Sequence, residues 1–212
     1  MEDSLLPPLA LSEAARADMT AACRDCAHLP KAPGAGQVVA QDGGDVQIMH
    51  NGLRVVADGY YGAWMTDLIA RLEGHHEPQE ECVFHEVLKH LPDDATMIEL
   101  GAFWSYYSLW FLQGHPRRRS LAVEPDPHHL AVGRRNAALN GLDPVFVQAS
   151  VGETSAPPAP FPTETSGMID IPRVAVPDLM AAHGIETLDL LHCDTQGAET
   201  AVIASCMELF RA

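Results

Sequence analysis

From Thr96 onward the chain alternates strand-like and helix-like segments, and that alternation constrains its fold more than any other feature. TMIEL (96–100), SLAVE (120–124), PVFVQAS (144–150) and LDLLHCD (188–194) are short apolar runs of strand length. Between them, YYSLWFLQ (106–113) reads as a helix stopped by Gly114. Asp126-Pro127 caps and starts a helix through Leu139, with Gly141 just past its end. A short helix is predicted around Pro177–His183. Another covers 198–210, with Val202, Ile203, Cys206, Leu209 and Phe210 on one face. Strands alternating with helices imply a parallel sheet with right-handed crossovers. The Pro/Ser/Thr-rich stretch GETSAPPAPFPTETSG (152–167) reads as a surface loop.

Residues 1–90 read as an N-terminal cap region, and 91–212 as the α/β domain. Ser12 to Ala22 favours a short helix, and LPKAPGAG (29–36) a linker. Apolar runs flank Asn51-Gly52 in DVQIMHNGLRVVA (45–57), which predicts a β-hairpin with a type I′ turn. GYYGAWMTDLIARL (59–72) turns helical toward its end. Glu77-Pro78 opens a further helix, with Glu80 and Glu81 at the positive end of its dipole and Val83, Val87 and Leu88 as its apolar stripe.

Composition narrows the function. Thirteen basic residues stand against twenty-nine acidic ones, a net charge of −16. Such a field repels phosphate backbones and anionic lipid, so neither nucleic acid nor a membrane surface is expected as a partner. No apolar run approaches the ~20 residues of a membrane span. The start, MEDSLLPPLA, is acidic and unlike a signal peptide, and five cysteines make a poor disulfide framework. A cytoplasmic protein is the expectation.

In open α/β sheets ligands sit beyond the carboxyl ends of the strands. The first strand here ends in Glu99-Leu100-Gly101-Ala102-Phe103-Trp104-Ser105, and a glycine there lets backbone approach a ligand. The second ends at Glu124, placed to accept both ribose hydroxyls of a nucleoside. The fourth ends at Asp194, followed by Thr195-Gln196-Gly197-Ala198-Glu199. The first loop lacks G-x-G-x-x-G, and no P-loop is present. What remains is a nucleoside site without a pyrophosphate grip. S-adenosylmethionine fits it: an adenosine, an amino-acid tail, no phosphate, and a cationic sulfonium that suits an acidic protein.

MIELGAFWSYYS (97–108), AVEPDPHHLAVGRRNAALNGL (122–142), VQASVGE (147–153) and DLLHCDTQGAE (189–199) together resemble the FkbM-type class I methyltransferases, over roughly residues 77–212. The resemblance implies a Rossmann-like methyltransferase sheet and methyl transfer from S-adenosyl-L-methionine, usually to oxygen on a sugar or secondary metabolite. It places Glu99 and Gly101 at the cofactor's methionine portion and ribose, with Ala102, Phe103 and Ser105 completing that loop. Glu124 matches the ribose-binding acid, Pro125 and Asp126 follow it in the family's E-P-D pattern, and Ser150-Val151 meet the adenine edge. Asp194 falls beside the transferred methyl. The family usually has Asn at Phe103, Gly at Ser105 and often Lys at His192, so the first loop is bulkier here. A complete class I sheet also has three further strands, whereas this sequence stops at Ala212. A shortened chain is expected, its fourth strand an open edge that invites pairing with a second copy, or a natural truncation completed by a partner.

Other residues carry two readings. Asp194 suits a catalytic base or a helix cap, and Glu199 a site role or dipole complementarity. His75 and His76 are either an exposed loop pair or bases for an acceptor hydroxyl. His192, on the same strand face as Asp194, reads as a core histidine bonded to a neighbour or as a base. Tyr60, Tyr61 and Trp64 pack the N-terminal helix or line an acceptor pocket. Phe103 or Trp104 offers a ring to the sulfonium while the other packs the core. His128-His129 reads as exposed, with His128 in reach of the adenosine. Cys23-x-x-Cys26 with His28 is half a zinc site without a second pair, so no metal is expected. The reading is an O-methyltransferase acting on a small-molecule acceptor. The rivals are a non-catalytic module that keeps the cofactor fold, and an N- or carboxyl-directed methyltransferase.

Overall fold

The computed structural model describes residues 12–209. Helix α1 (Glu13–Ala22) is capped by Ser12, whose hydroxyl accepts the Ala15 N–H at 3.2 Å. Strands β1 (Val38–Val39), β2 (Val46–Ile48) and β3 (Arg54–Val56) form a small antiparallel sheet in chain order. The β2–β3 hairpin falls where Asn51-Gly52 predicted it, but its turn is not type I′. Only Gly52 takes a positive φ (86°), and Met49 N–H bonds Leu53 O at 2.8 Å, so three residues make the connection.

Helices α2 (Ala63–Arg71) and α3 (Pro78–Leu88) follow. The buried face of α3 is Pro78, Glu81 and Phe84 rather than the predicted stripe, and Val83 is 64% exposed. The helix is turned to bring Glu81 inward, where histidines receive it.

The α/β part runs β4 (Thr96–Leu100), α4 (Tyr106–Leu112), β5 (Arg119–Val123), α5 (Pro127–Asn140), β6 (Val145–Val147), β7 (Ser150–Val151), β8 (Ala156–Thr163), β9 (Gly167–Val174), α6 (Val176–Ala182), β10 (Leu190–Cys193) and α7 (Glu199–Cys206). The central sheet is parallel with order β10-β4-β5-β6. Chain order therefore runs outward in both directions from β4, which puts a topological switch point between β4 and β10. Every β4 residue is buried. Met97 packs on one face with Met49, Leu53, Ile69, Phe84 and Trp110, while Ile98 and Leu100 pack on the other with Val176, Leu179 and Val202. The cap region thus supplies much of one core layer. Among the described residues β10 pairs on one side only, with β4.

The free edge of β3 is closed by α5. Asn136 Oδ1 accepts the Val56 N–H at 2.8 Å, and Asn140 accepts from Arg54 N and donates to Arg54 O at 2.9 and 2.7 Å. Two asparagine side chains thereby stand in for a neighbouring strand.

Residues 152–167 are not a loop. Most of them form β8 and its turn, antiparallel to β9, and β7 joins β9 in parallel to make a third sheet of order β7-β9-β8. Pro157, Pro158, Pro160 and Pro162 are accommodated because β8 is an edge strand, where a missing N–H costs no ladder bond on the open side. The predicted third strand, 144–150, accordingly divides: 145–147 stays in the central sheet and 150–151 joins the hairpin. Helix α7 buries Val202 and Cys206 against α6, while Ile203 and Leu209 are exposed; Phe210 lies outside the described residues. No helix among the described residues is long and apolar enough to cross a membrane.

Candidate functional site

A cavity of about 310 Å³ lies over the carboxyl ends of the central strands. Its wall includes Glu99, Gly101, Ala102, Phe103, Glu124, Pro125, Asp126, Ser150, Val151 and Asp194, all singled out from sequence. Ser105 and His75 are not in that wall, whereas His76 is.

Glu124 is 5% exposed, and two backbone donors fix its carboxylate: Phe103 N–H to Oε2 at 3.0 Å and Asp126 N–H to Oε1 at 2.9 Å. His129 Nδ1 stands 3.3 Å from Oε1 as well, so of the carboxylate's roughly four lone-pair positions the one left on Oε2 is open to a ligand. Glu99 accepts the Ser108 N–H at 2.9 Å. Burial pushes its carboxyl up to about 7, with His192, its partner across the β4–β10 ladder, opposing. Asp194, exposed at the cavity rim, is raised by desolvation and then by Glu77 and Glu80. It does not cap α7, which lacks a side-chain cap. Glu199 instead holds the preceding loop, accepting Thr195 N–H at 3.0 Å and Gly197 N–H at 2.9 Å.

Gly101 lines the cavity and also has a packing role. It has φ +76°, and a Cβ there would overlap the Asp194 carbonyl oxygen. The glycine lets the first loop close against the end of β10, seating Asp194. The two bulky departures keep glycine-like backbone: Phe103 has φ 40° and Ser105 has φ 63°. The Ser105 hydroxyl is buried without a partner and sits against Gly133 of α5, where a Cβ would lie 2.6 Å from it. Asn136 Nδ2 steadies the loop by donating to Trp104 O at 3.0 Å.

Asp126 borders the cavity, but its oxygens are engaged. Besides capping α5 through the His128 N–H, the carboxylate accepts from both N–H and hydroxyl of Thr165 and of Ser166, at 2.6–3.2 Å. These bonds hold its pKa well below the usual carboxylate range, against a desolvation penalty. They latch the tip of the β8–β9 hairpin over the site, and Phe161, Pro162, Thr163 and Glu164 join the cavity wall. Sequence reasoning missed those four because prolines concealed the strand.

His75 and His76 are 2% and 1% exposed, not an exposed pair. Both converge on Glu81, which is fully buried. His75 Nδ1 bonds Glu81 Oε2, and Glu81 Oε1 accepts the backbone N–H of His76 at 2.8 Å and of Glu77 at 3.2 Å. The His76 ring lies between Glu81 Oε1 (2.6 Å) and Glu77 Oε2 (3.2 Å). Burial disfavours its charge, but the two carboxylates outweigh burial and raise it to about 10. His192 Nε2 bonds Glu80 Oε1 at 2.6 Å, a neighbour-bonded histidine as the sequence suggested. His129, not His128, enters the site: it is buried, stacks on Phe103 at 3.4 Å, and places Nδ1 3.3 Å from Glu124. Tyr60 stacks on Trp104 at 4.5 Å, and Tyr60 and Tyr61 line the cavity while Trp64 does not.

Carboxylates and aromatic rings stand in this wall among small apolar and neutral polar residues, and no Lys or Arg lines it. Together with the fixed Glu124 carboxylate they suit a cationic nucleoside such as S-adenosylmethionine. The sheet order and the switch-point cavity are those of a Rossmann-like domain of the class I methyltransferase type. The chain belongs to the FkbM methyltransferase family: the methyltransferase FkbM domain matches residues 86–212. No curated protein matches the sequence. Two solved structures resemble parts of it. One is PKMT2 from Rickettsia typhi, at 17% identity and TM-score 0.27 over 31% of this chain and 14% of that one. The other is precorrin-6y C5,15-methyltransferase from Geobacter metallireducens GS-15, at 23% identity and TM-score 0.29 over 35% of this chain and 40% of that one. The matches span less than half the length of either.

Proposed function

We propose that the protein is an S-adenosylmethionine-dependent O-methyltransferase whose acceptor is the hydroxyl of a small uncharged molecule, a sugar or secondary metabolite. The observation that carries this reading is the Glu124 carboxylate, pre-oriented by two backbone N–H groups at the second strand end in a wall free of Lys and Arg. S-adenosylmethionine supplies an electrophilic methyl on a good leaving group. Glu124 accepts the ribose hydroxyls, Glu99 faces the amino-acid portion, and Ser150-Val151 border the adenine. Asp194 takes the proton of the acceptor hydroxyl as its oxygen becomes bonded to carbon. Its raised pKa makes it a better base than an ordinary aspartate. Tyr60, Tyr61 and the latched hairpin exclude water and align the acceptor, which matters because a 1 Å misplacement costs about 100-fold in rate.

The test is calorimetric titration of the full chain with S-adenosylmethionine and its demethylated product, followed by labelled-methyl transfer to a panel of glycosides. Glu124→Ala is expected to weaken cofactor binding by about 1.5–3 kcal/mol, the range for hydrogen bonds to a charged group. Unchanged affinity in a folded Glu124→Ala variant removes the ribose role and with it the main support for this reading.

A further inference from the structure

Cys26 and its neighbours lie outside the cofactor cavity, and the methyl-transfer chemistry uses none of them. The Cys26 sulfur, a His75 ring nitrogen and a Glu81 carboxylate oxygen all lie within 4.8 Å of one another, and the three residues are 3%, 2% and 0% exposed. They come from two distant segments: the connection after α1, and the turn before α3 together with the first turn of α3. A thiol, an imidazole and a carboxylate thus meet out of water, where polar and charged groups are costly unless paired or bound to a metal.

We propose that Cys26, His75 and Glu81 bind one divalent transition-metal ion of zinc's chemistry. The donor set is one sulfur, one nitrogen and one oxygen. That mixture matches the borderline softness of Zn²⁺ and is foreign to Mg²⁺ and Ca²⁺, which take oxygen ligands. The surroundings orient the donors. Glu81 Oε1 is held by the His76 and Glu77 N–H groups, so Oε2 is the oxygen turned toward His75. His50 Nδ1 stands 3.3 Å from the same Oε2, and its ring stacks on His75 at 3.9 Å, bracing the imidazole. His75 Nδ1 faces Glu81 Oε2, so the ion takes the place of the proton these two atoms share, and Nε2 keeps its own proton. The Cys26 thiol donates to Pro78 O at 2.6 Å; metal binding releases this proton and the one between His75 and Glu81 to solvent and frees the thiolate. An open groove lined by Cys26, His75 and Pro78, and also by Arg24, Lys31 and Arg71, provides the access path and leaves a fourth coordination position for water. Cys26 of the Cys-x-x-Cys motif thus meets its imidazole and carboxylate partners about fifty residues downstream, while the Cys23 thiol donates to Asp25 Oδ2 at 2.6 Å.

Such an ion pins the N-terminal segment to the turn that delivers His76 and Glu77 to the cofactor cavity. The test uses the full chain purified without chelator, loaded with Zn²⁺ and dialysed, then analysed for metal and by X-ray absorption. About one equivalent of zinc, with a first shell of one or two sulfurs and the rest nitrogen or oxygen, supports the site. Co²⁺ substitution is expected to give a thiolate-to-cobalt charge-transfer band that is lost in Cys26→Ser and kept in Cys206→Ser. Should Cys26→Ser fail to fold, the wild-type absorption measurement decides alone, with His75→Gln as the second variant. No retained zinc, a sulfur-free shell, or a cobalt band that survives Cys26→Ser overturns the proposal, whatever the outcome for methyl transfer.

Discussion

Glu99 carries a cost that one atom can remove. It sits at 2% exposure on the central strand, and its carboxyl is raised from 4.5 to about 7 by burial. For an acid raised on folding, the folded chain holds a proton that the unfolded chain has already lost between those two values. Stability is then greatest below the unfolded value and falls as pH rises toward the folded one. A gap of that size corresponds to ~3 kcal/mol at 1.36 kcal/mol per unit. Glu99→Gln keeps the shape and the carbonyl that accepts the Ser108 N–H, but has no charge to bury. Wild type is expected to lose stability from pH 5 to pH 8, and the variant much less. Their difference at pH 8 should approach 3 kcal/mol, about 6–12 °C in Tm for a chain of this size.

The assay is denaturant unfolding of both proteins across that pH range. His192 contributes a slope of the same sign, since its raised pKa gives stability that is present at low pH and lost as pH rises through it. Glu99 is one cause of that shift, so the substitution reduces this slope as well. Parallel wild-type and variant profiles, or a variant less stable at pH 8, refute the reasoning. The same substitution is expected to weaken S-adenosylmethionine binding about tenfold or more, because an amide cannot pair with the cofactor's ammonium. The variant should therefore be sturdier and less able to bind, the usual exchange at a site where function keeps a buried charge.

Asp194→Asn is expected to lower kcat by about 10²–10⁴ while leaving cofactor affinity within twofold, as removal of a general base does; stopped-flow or labelled-methyl kinetics with saturating cofactor read it. Asp126→Ala should unlatch the β8–β9 hairpin, a loss of about 1.5–3 kcal/mol locally, so limited proteolysis at residues 164–166 should run roughly 10- to 100-fold faster. Because the Asp126 pKa is depressed, the latch is present above the ordinary aspartate value and loosens only as pH falls through the lower folded one, so wild-type cleavage should not change between pH 5 and 8. Gly133→Ala should cost about 1–3 kcal/mol through the Ser105 hydroxyl it strikes, and Ser105→Gly in the same chain should recover most of that loss; additive effects of the two substitutions refute the coupling.

The parallel sheet could be read in advance because each of its elements is announced locally. The strands are short apolar runs, β4 and most of β5 buried on both faces, and α5 begins at Asp126-Pro127 and ends at a left-handed Gly141. The acids at the strand ends follow from topology, since a residue at the carboxyl end of β4, β5 or β10 has few places to go but the crevice. Elements whose evidence is non-local were hidden. Four prolines in β8 argue against a strand unless the strand is an edge, and edge status depends on where β9 lies. In the same way Glu81 reads as a solvated charge at a helix start until His75 and His76 from the preceding turn, and His50 from the hairpin, are seen around it.

The first loop shows how one departure from a family pattern is absorbed by another position. A serine where glycine is usual must adopt φ 63°, a conformation that costs a β-carbon-bearing residue of order 1 kcal/mol. Its hydroxyl then needs space, and α5 provides it by having glycine at 133. Glycine in a helix interior is itself unfavourable by about 1 kcal/mol relative to alanine. That helix compensates through Asn136 and Asn140, which bind the loop and the edge of β3 at once. The cap sheet, the helix and the cofactor loop are therefore one mechanical unit. A change at 105 or 133 should be felt at Glu124, whose carboxylate is aimed by the N–H of Phe103 two residues before the serine.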